Sequence, residues 1–315
     1  MSVDVTDLGL LAVARPTSTR PGPGPIPEAL VAALELPVGR RSRGVMPGDH
    51  AAVGAGAGLE LDRIRTYVPG DDVRSIDWNV TARTGEPHVR EHVPERQLTT
   101  WLLLDASASM HFGTADRRKA DVAAGVAVIV GRLAARRGNR LGVVTFGGPN
   151  QRFLAPTAGR RAMLGLVGIL RDGAAEEGGG QTSPAAAMRL VARSRTTSSL
   201  AVVVSDFRGP RDWRSALAEL GGRHAVVAVE VVDPREDELV DVGELTFVDP
   251  ESGRTLRADT GDRRLRELFG LAASDERASV RAIFRELGVQ HIRLSTAGPW
   301  LPELVRGFGG KARSV

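Results

Sequence analysis

The run LTTWLLLD, residues 98–105, decides how this chain is expected to fold. It is mostly apolar, it ends in an acidic residue, and small polar residues follow it. Such a short apolar run is typical of a strand that is buried on both faces of a parallel sheet. Similar runs recur at residues 139–146 (NRLGVVTF), 200–205 (LAVVVS) and 225–232 (AVVAVEVV). We therefore expect a parallel sheet at the centre of the fold.

Segments with helical spacing of apolar residues separate these strands. In residues 119–137, for example, Val122, Val126 and Leu133 fall on one side of a helix. Further helices are expected at residues 161–170, 184–192, 213–220, 262–287 and 302–308, and further strands at residues 152–155 and 290–294. Because strands alternate with helices, the sequence predicts an α/β fold with a doubly wound, mostly parallel sheet.

The sequence also suggests how the chain is divided. Residues 1–27 include the proline-rich stretch PTSTRPGPGPIP, in which proline forbids helix, and are interpreted as a disordered or linker N-terminus. Residues 28–97 are expected to form a small N-terminal β-appendage. Residues 98–310 are expected to form the main α/β domain. A β-hairpin insertion is expected within residues 240–260, around the turn sequence PESG.

The composition argues against several classes of function. The chain has 42 basic and 38 acidic residues, a net charge of only +4, and only 4% aromatic residues, so we expect no nucleic-acid partner. It has no cysteine, which excludes disulfides, thiolate zinc sites and a cysteine nucleophile, and fits the cytoplasm. The sequence shows neither a signal peptide nor a membrane-spanning apolar stretch, so we expect a cytoplasmic protein with no membrane partner.

Polar side chains follow the predicted strands at positions suited to a metal ion. Asp105, Ser107 and Ser109 follow the first strand, Asp206 follows a later one, and Thr182 lies in a glycine-rich loop. Ligands bind at the carboxyl ends of parallel strands, and hydroxyl and carboxylate oxygens suit hard divalent ions. We expect a divalent metal here, with Mg²⁺ preferred and Mn²⁺ or Ca²⁺ as alternatives. Thr182 could instead simply cap the helix that follows it.

This arrangement resembles the von Willebrand factor A fold with its metal-ion-dependent adhesion site, or MIDAS. The resemblance implies that Ser107 and Ser109 are direct ligands, that Thr182 is the ligand from a third loop, and that Asp105 and Asp206 act directly or through water. One departure is Phe207, where many of these domains have glycine. We expect it to narrow the site without removing a ligand.

The upstream segment RTYVPGDDVRSIDW, residues 65–78, resembles the signature of a bacterial family known as domain of unknown function 58, as does VDPRE at residues 232–236. The resemblance implies a partner or co-chaperone of a MoxR-type AAA+ ATPase, acting in the assembly or activation of an unknown client protein. The upstream segment is either a salt-bridged appendage or a partner-docking surface. The docking residues would be Arg65, Tyr67, Asp71, Asp72, Arg74, Asp77 and Trp78.

Two functions stay open at this point. The first is a metal-dependent protein-interaction module that is not an enzyme. The second is a metal-dependent phosphoesterase-type hydrolase, with Asp105 as nucleophile or metal ligand. A hydrolase needs a nucleophile, a base and a positioned cation together. The sequence places only His111 as a nearby base and no lysine near the predicted strand ends, which favours the interaction module.

Overall fold

The computed structural model describes residues 12–13, 22–24, 26–27, 59–94, 98–136, 138–173, 183–194, 199–249 and 253–308. The chain folds into two compact units. The smaller is Val45–Gln97, and the larger combines Met1–Gly44 with Leu98–Val315. Thr182 lies outside the described residues, and so does most of the predicted linker at residues 1–27.

The strands, in chain order, are β1 (Ala12–Val13), β2 (Leu59–Thr66), β3 (His88–Pro94), β4 (Thr99–Asp105), β5 (Arg140–Phe146), β6 (Phe153–Ala158), β7 (Ser199–Ser205), β8 (Ala225–Val232), β9 (Glu244–Val248), β10 (Thr255–Asp259) and β11 (Gln290–Ser295). The helices are α1 (Trp78–Thr84), α2 (Lys119–Arg136), α3 (Gly159–Gly173), α4 (Pro184–Ala192), α5 (Trp213–Arg223), α6 (Arg263–Glu286) and α7 (Trp300–Gly307). Within these ranges no helix is both long and apolar enough to cross a membrane.

The larger unit is built on a six-stranded sheet with the order β11-β8-β7-β4-β5-β6. Its neighbouring strands are parallel except for the edge pair β5 and β6, which is antiparallel. The predicted fold class, a mostly parallel α/β sheet, is confirmed. The run LTTWLLLD becomes β4, which pairs with β5 on one side and β7 on the other.

Apolar side chains of β4 alternate between two separate cores. Leu102 and Leu104 point to the face covered by α2, α3 and α7, whereas Trp101 and Leu103 point to the face covered by α4, α5 and α6. Helices therefore cover both faces of the sheet. This two-sided burial explains why the strand sequences show no polar alternation.

The predicted hairpin insertion is formed by β9 and β10, which pair antiparallel. A small apolar cluster of Leu239, Phe247 and Phe269 joins this hairpin to the first half of α6. β1 pairs with the free edge of β9, through Ala12 opposite Val248. Residues 1–27 were predicted to be a disordered or linker segment, and β1 lies within them. The edge of β9 offers unpaired backbone groups, and an extended segment such as β1 can satisfy them.

The smaller unit contains an antiparallel pair, β2 and β3, with an irregularity in register between Leu61 and Arg63. The short helix α1 lies between the two strands in sequence and was not predicted. It begins at the N-cap Asp77, whose side chain accepts hydrogen bonds from two backbone amides, and ends at Gly85 with a left-handed φ of 78°. These capping residues, which suit the two ends of a helix, fix its length.

Candidate functional site

The loop after β4 forms the centre of the candidate site. The Ala106 amide donates to the carbonyl of Phe146 at the end of β5, with an N–O distance of 2.7 Å, and this bond turns the chain away from the sheet. A single 3-10 turn, Ala108–His111, follows. The hydroxyl oxygens of Ser107 and Ser109 lie 3.0 Å apart. The structure thus brings the two predicted direct ligands together.

This spacing fits a small hard cation. Neighbouring oxygen ligands in the octahedral shell of Mg²⁺ are about 2.9 Å apart, given metal–oxygen bonds of about 2.0–2.1 Å. The described residues contain no group of three or more His, Cys, Asp or Glu side chains arranged to hold a metal. A metal at this loop would therefore depend on the hydroxyls of Ser107 and Ser109, with the Asp105 carboxylate, which accepts from the Ser107 amide, beside them.

Gly147, directly after β5, allows the loop to approach the sheet this closely. Its φ of 79° is in the left-handed region, and a Cβ there would lie 2.7 Å from Oδ1 of Asp105 and 2.8 Å from Cβ of Ser107. A residue with a side chain would therefore both strain the backbone and collide with the site. The sequence signal for this requirement is the pair Gly147–Gly148 after the strand.

Asp105 is held by hydrogen bonds at both oxygens. Oδ1 accepts from the Ser107 amide at 2.9 Å, and Oδ2 accepts from the Ser205 hydroxyl at 2.5 Å. Burial, and then the negative charge of Asp206, raise the pKa of the Asp105 carboxyl to about 6, although these hydrogen bonds oppose the rise. A cation beside Asp105 would relieve the cost of its charge.

Asp206, at the end of β7, is joined to a buried lysine. Nζ of Lys119 donates to Oδ2 of Asp206 and to Oε1 of Glu236, both at 2.6 Å, and its side chain is fully buried. The prediction that no lysine lies near the strand ends is therefore wrong. Lys119 is the first residue of α2, and the fold brings it to Asp206 from 87 residues away along the chain.

Opposite charges dominate this buried group. Burial disfavours the Lys119 ammonium, but the attraction of Asp206 and Glu236 outweighs it and raises the pKa of Lys119. Burial likewise opposes ionisation of Asp206, but Lys119 lowers the pKa of that carboxyl below its usual value. Nε of Arg208 lies 3.6 Å from Oε1 of Glu236. Two cations and two carboxylates thus form one network.

The VDPRE segment provides another buried acid next to this network. The Asp233 carboxylate is fully buried and accepts from the amide of Thr114 at 2.8 Å and the hydroxyl of Thr296 at 2.6 Å. Asp233 also forms a capping box with Glu236, whose Oε2 accepts from the Asp233 amide at 3.0 Å. The spacing Asp-x-x-Glu is a helix-start signal that could have identified this arrangement.

Phe207 does not narrow the site, contrary to the expectation from sequence. Its ring is buried in the core, 4.9 Å from the ring of Phe284 and 5.5 Å from that of Trp213, measured between centroids. Its backbone φ is 53°, in the left-handed region. Glycine adopts that conformation without strain, whereas a residue with a side chain does so at a cost.

In the smaller unit, Arg65 and Asp71 bind each other. The Arg65 guanidinium donates to both oxygens of Asp71, at 2.7 and 2.8 Å. This pairing, together with the Val68 amide, lowers the pKa of Asp71 to about 2. These two predicted docking residues therefore form an internal ion pair.

Other predicted docking residues shape the local backbone. Asp72 accepts from the amide of Arg74 at 2.9 Å, and Asp77, the N-cap of α1, also accepts from Nε of Arg90 at 2.8 Å. Trp78 is different, because it is 70% exposed. Tyr67 is partly buried. The acidic residues thus have structural roles, and Trp78 is the exposed aromatic of the segment.

Comparison with solved structures gives distant likenesses of fold. The conserved hypothetical protein BatB from Bacteroides thetaiotaomicron is 14% identical, with a TM-score of 0.39, and the match covers 61% of this chain and 98% of that chain. A von Willebrand factor type A structure from Catenulispora acidiphila is 12% identical, with a TM-score of 0.35, and the match covers 67% of this chain and 41% of that chain.

Sequence relatives are nearer. Uncharacterized proteins of Mycobacterium tuberculosis and Mycobacterium bovis are each 38% identical over 287 residues, which is 91% of this chain and 90% of theirs. The model of the family described as "Protein of unknown function DUF58" matches residues 63–279. The chain belongs to the DUF58 family.

Proposed function

We propose that this protein is a metal-dependent protein-interaction module. In this proposal a divalent ion, preferably Mg²⁺ with Mn²⁺ or Ca²⁺ as alternatives, binds at Ser107, Ser109 and Asp105. Asp206 acts through water, and Thr182 supplies a further ligand. The role of the ion is to bind a carboxylate of a partner protein.

The observation that supports this function is the balance of charge around the loop. Lys119 and Arg208 offset the charges of Asp206 and Glu236. Asp105 lies outside this network: its oxygens accept hydrogen bonds from the Ser107 amide and the Ser205 hydroxyl, and neither donor carries a charge. A divalent ion bound there would keep a net positive charge and would retain open octahedral positions. A carboxylate from another protein would complete its coordination.

The proposed partner is a MoxR-type AAA+ ATPase, with an unknown client protein, as the family resemblance suggests. Trp78, Val68 and Val73 are exposed apolar residues of the smaller unit, at 70%, 56% and 62% exposure, and we propose that the partner contacts them. We propose no nucleic-acid partner and no membrane partner. We also propose that the protein is located in the cytoplasm. Fractionation of cells tests the location: recovery with membranes after a high-salt wash would contradict it.

A metal-dependent phosphoesterase is the alternative, and Lys119 is the observation that bears on it. A hydrolase of this kind uses a cation that can contact the phosphate. Lys119 is fully buried and binds two carboxylates. It therefore cannot present its charge to a substrate, so Lys119 does not supply that contact, and the interaction module remains the function that we propose.

Calorimetric titration with MnCl₂ and MgCl₂ tests the proposed site. We expect wild-type protein to bind the ion and the double variant Ser107→Ala/Ser109→Ala to bind it at least about tenfold more weakly, because both hydroxyl ligands are lost. Ser274→Ala, an exposed serine on α6, is the matched control and should bind as wild type does. Unchanged affinity in a folded double variant would contradict the site.

A further inference from the structure

Lys119 stands out because the chain otherwise relies on arginine for positive charge. Lysine occurs only at positions 119 and 311, among 42 basic residues. The compact ammonium of lysine fits between two carboxylates, whereas the planar guanidinium of arginine needs more room. Burying a charge so completely is costly unless it is fully paired. A compact, fully paired lysine therefore suits position 119 better than an arginine does.

We infer that Lys119 is a built-in cation that sets how tightly the site holds its metal, by competing with the ion for Asp206. The inference rests on the proposed function, since it concerns the same metal. Lys119 acts through Asp206, so it is a positioning residue and not a ligand. Glu236 moderates the competition, because it draws part of the charge of Lys119 away from Asp206.

The geometry around Asp206 leaves the metal little access to this carboxylate. Oδ2 accepts from Nζ of Lys119 at 2.6 Å, and Oδ1 accepts from the amide of Arg208 at 3.1 Å. Both oxygens are therefore engaged. A metal at the serine loop can gain the charge of Asp206 only through water, or by weakening its bond to Lys119. The ammonium also repels a divalent ion directly.

This arrangement predicts opposite effects for two substitutions in one buried network. Lys119→Met keeps the aliphatic stem but removes the charge, so Asp206 becomes available to the ion and Mn²⁺ should bind about tenfold more tightly. Glu236→Gln leaves Lys119 paired with Asp206 alone and adds one net positive charge near the site. Mn²⁺ should then bind several-fold more weakly.

Calorimetry with MnCl₂ on the full chain provides the test, with Arg118→Met as the control. Arg118 precedes Lys119 and pairs with Asp121, so its loss should leave Mn²⁺ affinity unchanged. General structural damage would weaken Mn²⁺ binding in both network variants. Competition instead predicts tighter binding in Lys119→Met and weaker binding in Glu236→Gln. If Lys119→Met alone does not fold, the double variant Lys119→Met/Glu236→Gln replaces it, because it removes one positive and one negative charge together. Its Mn²⁺ affinity should be higher than that of Glu236→Gln.

The outcomes separate this inference from the function on which it rests. Wild-type protein that binds no Mn²⁺ would overturn both. Wild-type binding that is lost in Ser107→Ala/Ser109→Ala, with affinity equal or weaker in the Lys119→Met variants, would overturn the inference alone. Tighter binding without Lys119 together with weaker binding without Glu236 would support it.

Discussion

Gly147 shows how one residue without a side chain can determine whether the site forms. Its left-handed backbone and the 2.7 Å approach to Oδ1 of Asp105 leave no place for a Cβ. We expect Gly147→Ala to lower the free energy of unfolding by about 2–4 kcal/mol, from backbone strain and overpacking together. Chemical denaturation of the purified variant measures this loss.

Gly168 provides the control for that substitution. It is exposed on α3, and a Cβ there would meet no atom within 4 Å. Gly168→Ala should therefore stabilise the protein by about 0.5–1 kcal/mol, because alanine loses less backbone entropy in a helix. Equal stability of Gly147→Ala and wild-type protein would show that the loop does not need glycine at position 147.

At Phe207 the backbone and the side chain have opposing effects on stability. A left-handed conformation costs a bulky residue about 1–2 kcal/mol, whereas burying a phenylalanine ring contributes about 3–5 kcal/mol. The ring lies among Trp213 and Phe284, so the packing outweighs the strain. This balance explains how a non-glycine residue can follow Asp206.

At the scale of elements, His224 links the end of α5 to the start of β7. Its Nδ1 forms a hydrogen bond with the Ser199 hydroxyl, and its Nε2 has no partner among the residues described. A protonated ring would need two acceptors. Burial, with a smaller contribution from Arg223, lowers the pKa of His224 below its usual value.

The sign of this shift predicts acid sensitivity. The folded state binds the proton less readily than the unfolded state, whose pKa is about 6.5, so stability falls as pH decreases below that value. Between pH 7.5 and pH 5.5 we expect His224→Asn to lose less stability than wild-type protein; the raised pKa of Asp105 acts in the opposite direction, but equally in both proteins. Urea denaturation at both pH values measures this, and an identical loss in the two proteins would rule out His224 as the cause.

Element prediction from sequence succeeded where burial dictates the pattern. β4 and α2 end within one residue of their predicted limits, because each has a long apolar stretch in the core. The helix α1 was missed, because it buries no residue and so carries no apolar periodicity. Its formation depends on the caps Asp77 and Gly85, which sequence patterns of burial do not reveal.

At the scale of the whole molecule, the five parallel strands that the structure describes end at one edge of the sheet. Asp105, Asp206 and Asp233 end or follow β4, β7 and β8, and Thr296 follows β11. Asp233 ties the loop at Thr114 to Thr296. This edge is therefore held by buried polar contacts, which keep the loop positions fixed around the candidate site.

Sequence reasoning could name candidate residues at the strand ends, Asp206 among them, but not the side chains that pair with them. Asp105, Ser107 and Ser109 fall within five consecutive residues, and their spacing identified the loop. The contacts of Lys119 with Asp206 and Glu236 join residues that are 87 and 117 positions apart. The rarity of lysine in the chain singles out Lys119 but does not reveal its acidic partners, so the charge network required the folded structure.

We propose that Ser107 and Ser109 hold a divalent ion with coordination positions left for a partner. Crystals of the full chain soaked in MnCl₂, with anomalous diffraction measured for manganese, test it most directly. We predict an anomalous peak bonded to both hydroxyl oxygens, with at least one further position filled by water or by a carboxylate of a neighbouring molecule. No peak at these serines, or an ion enclosed entirely by ligands from this chain, would contradict the account.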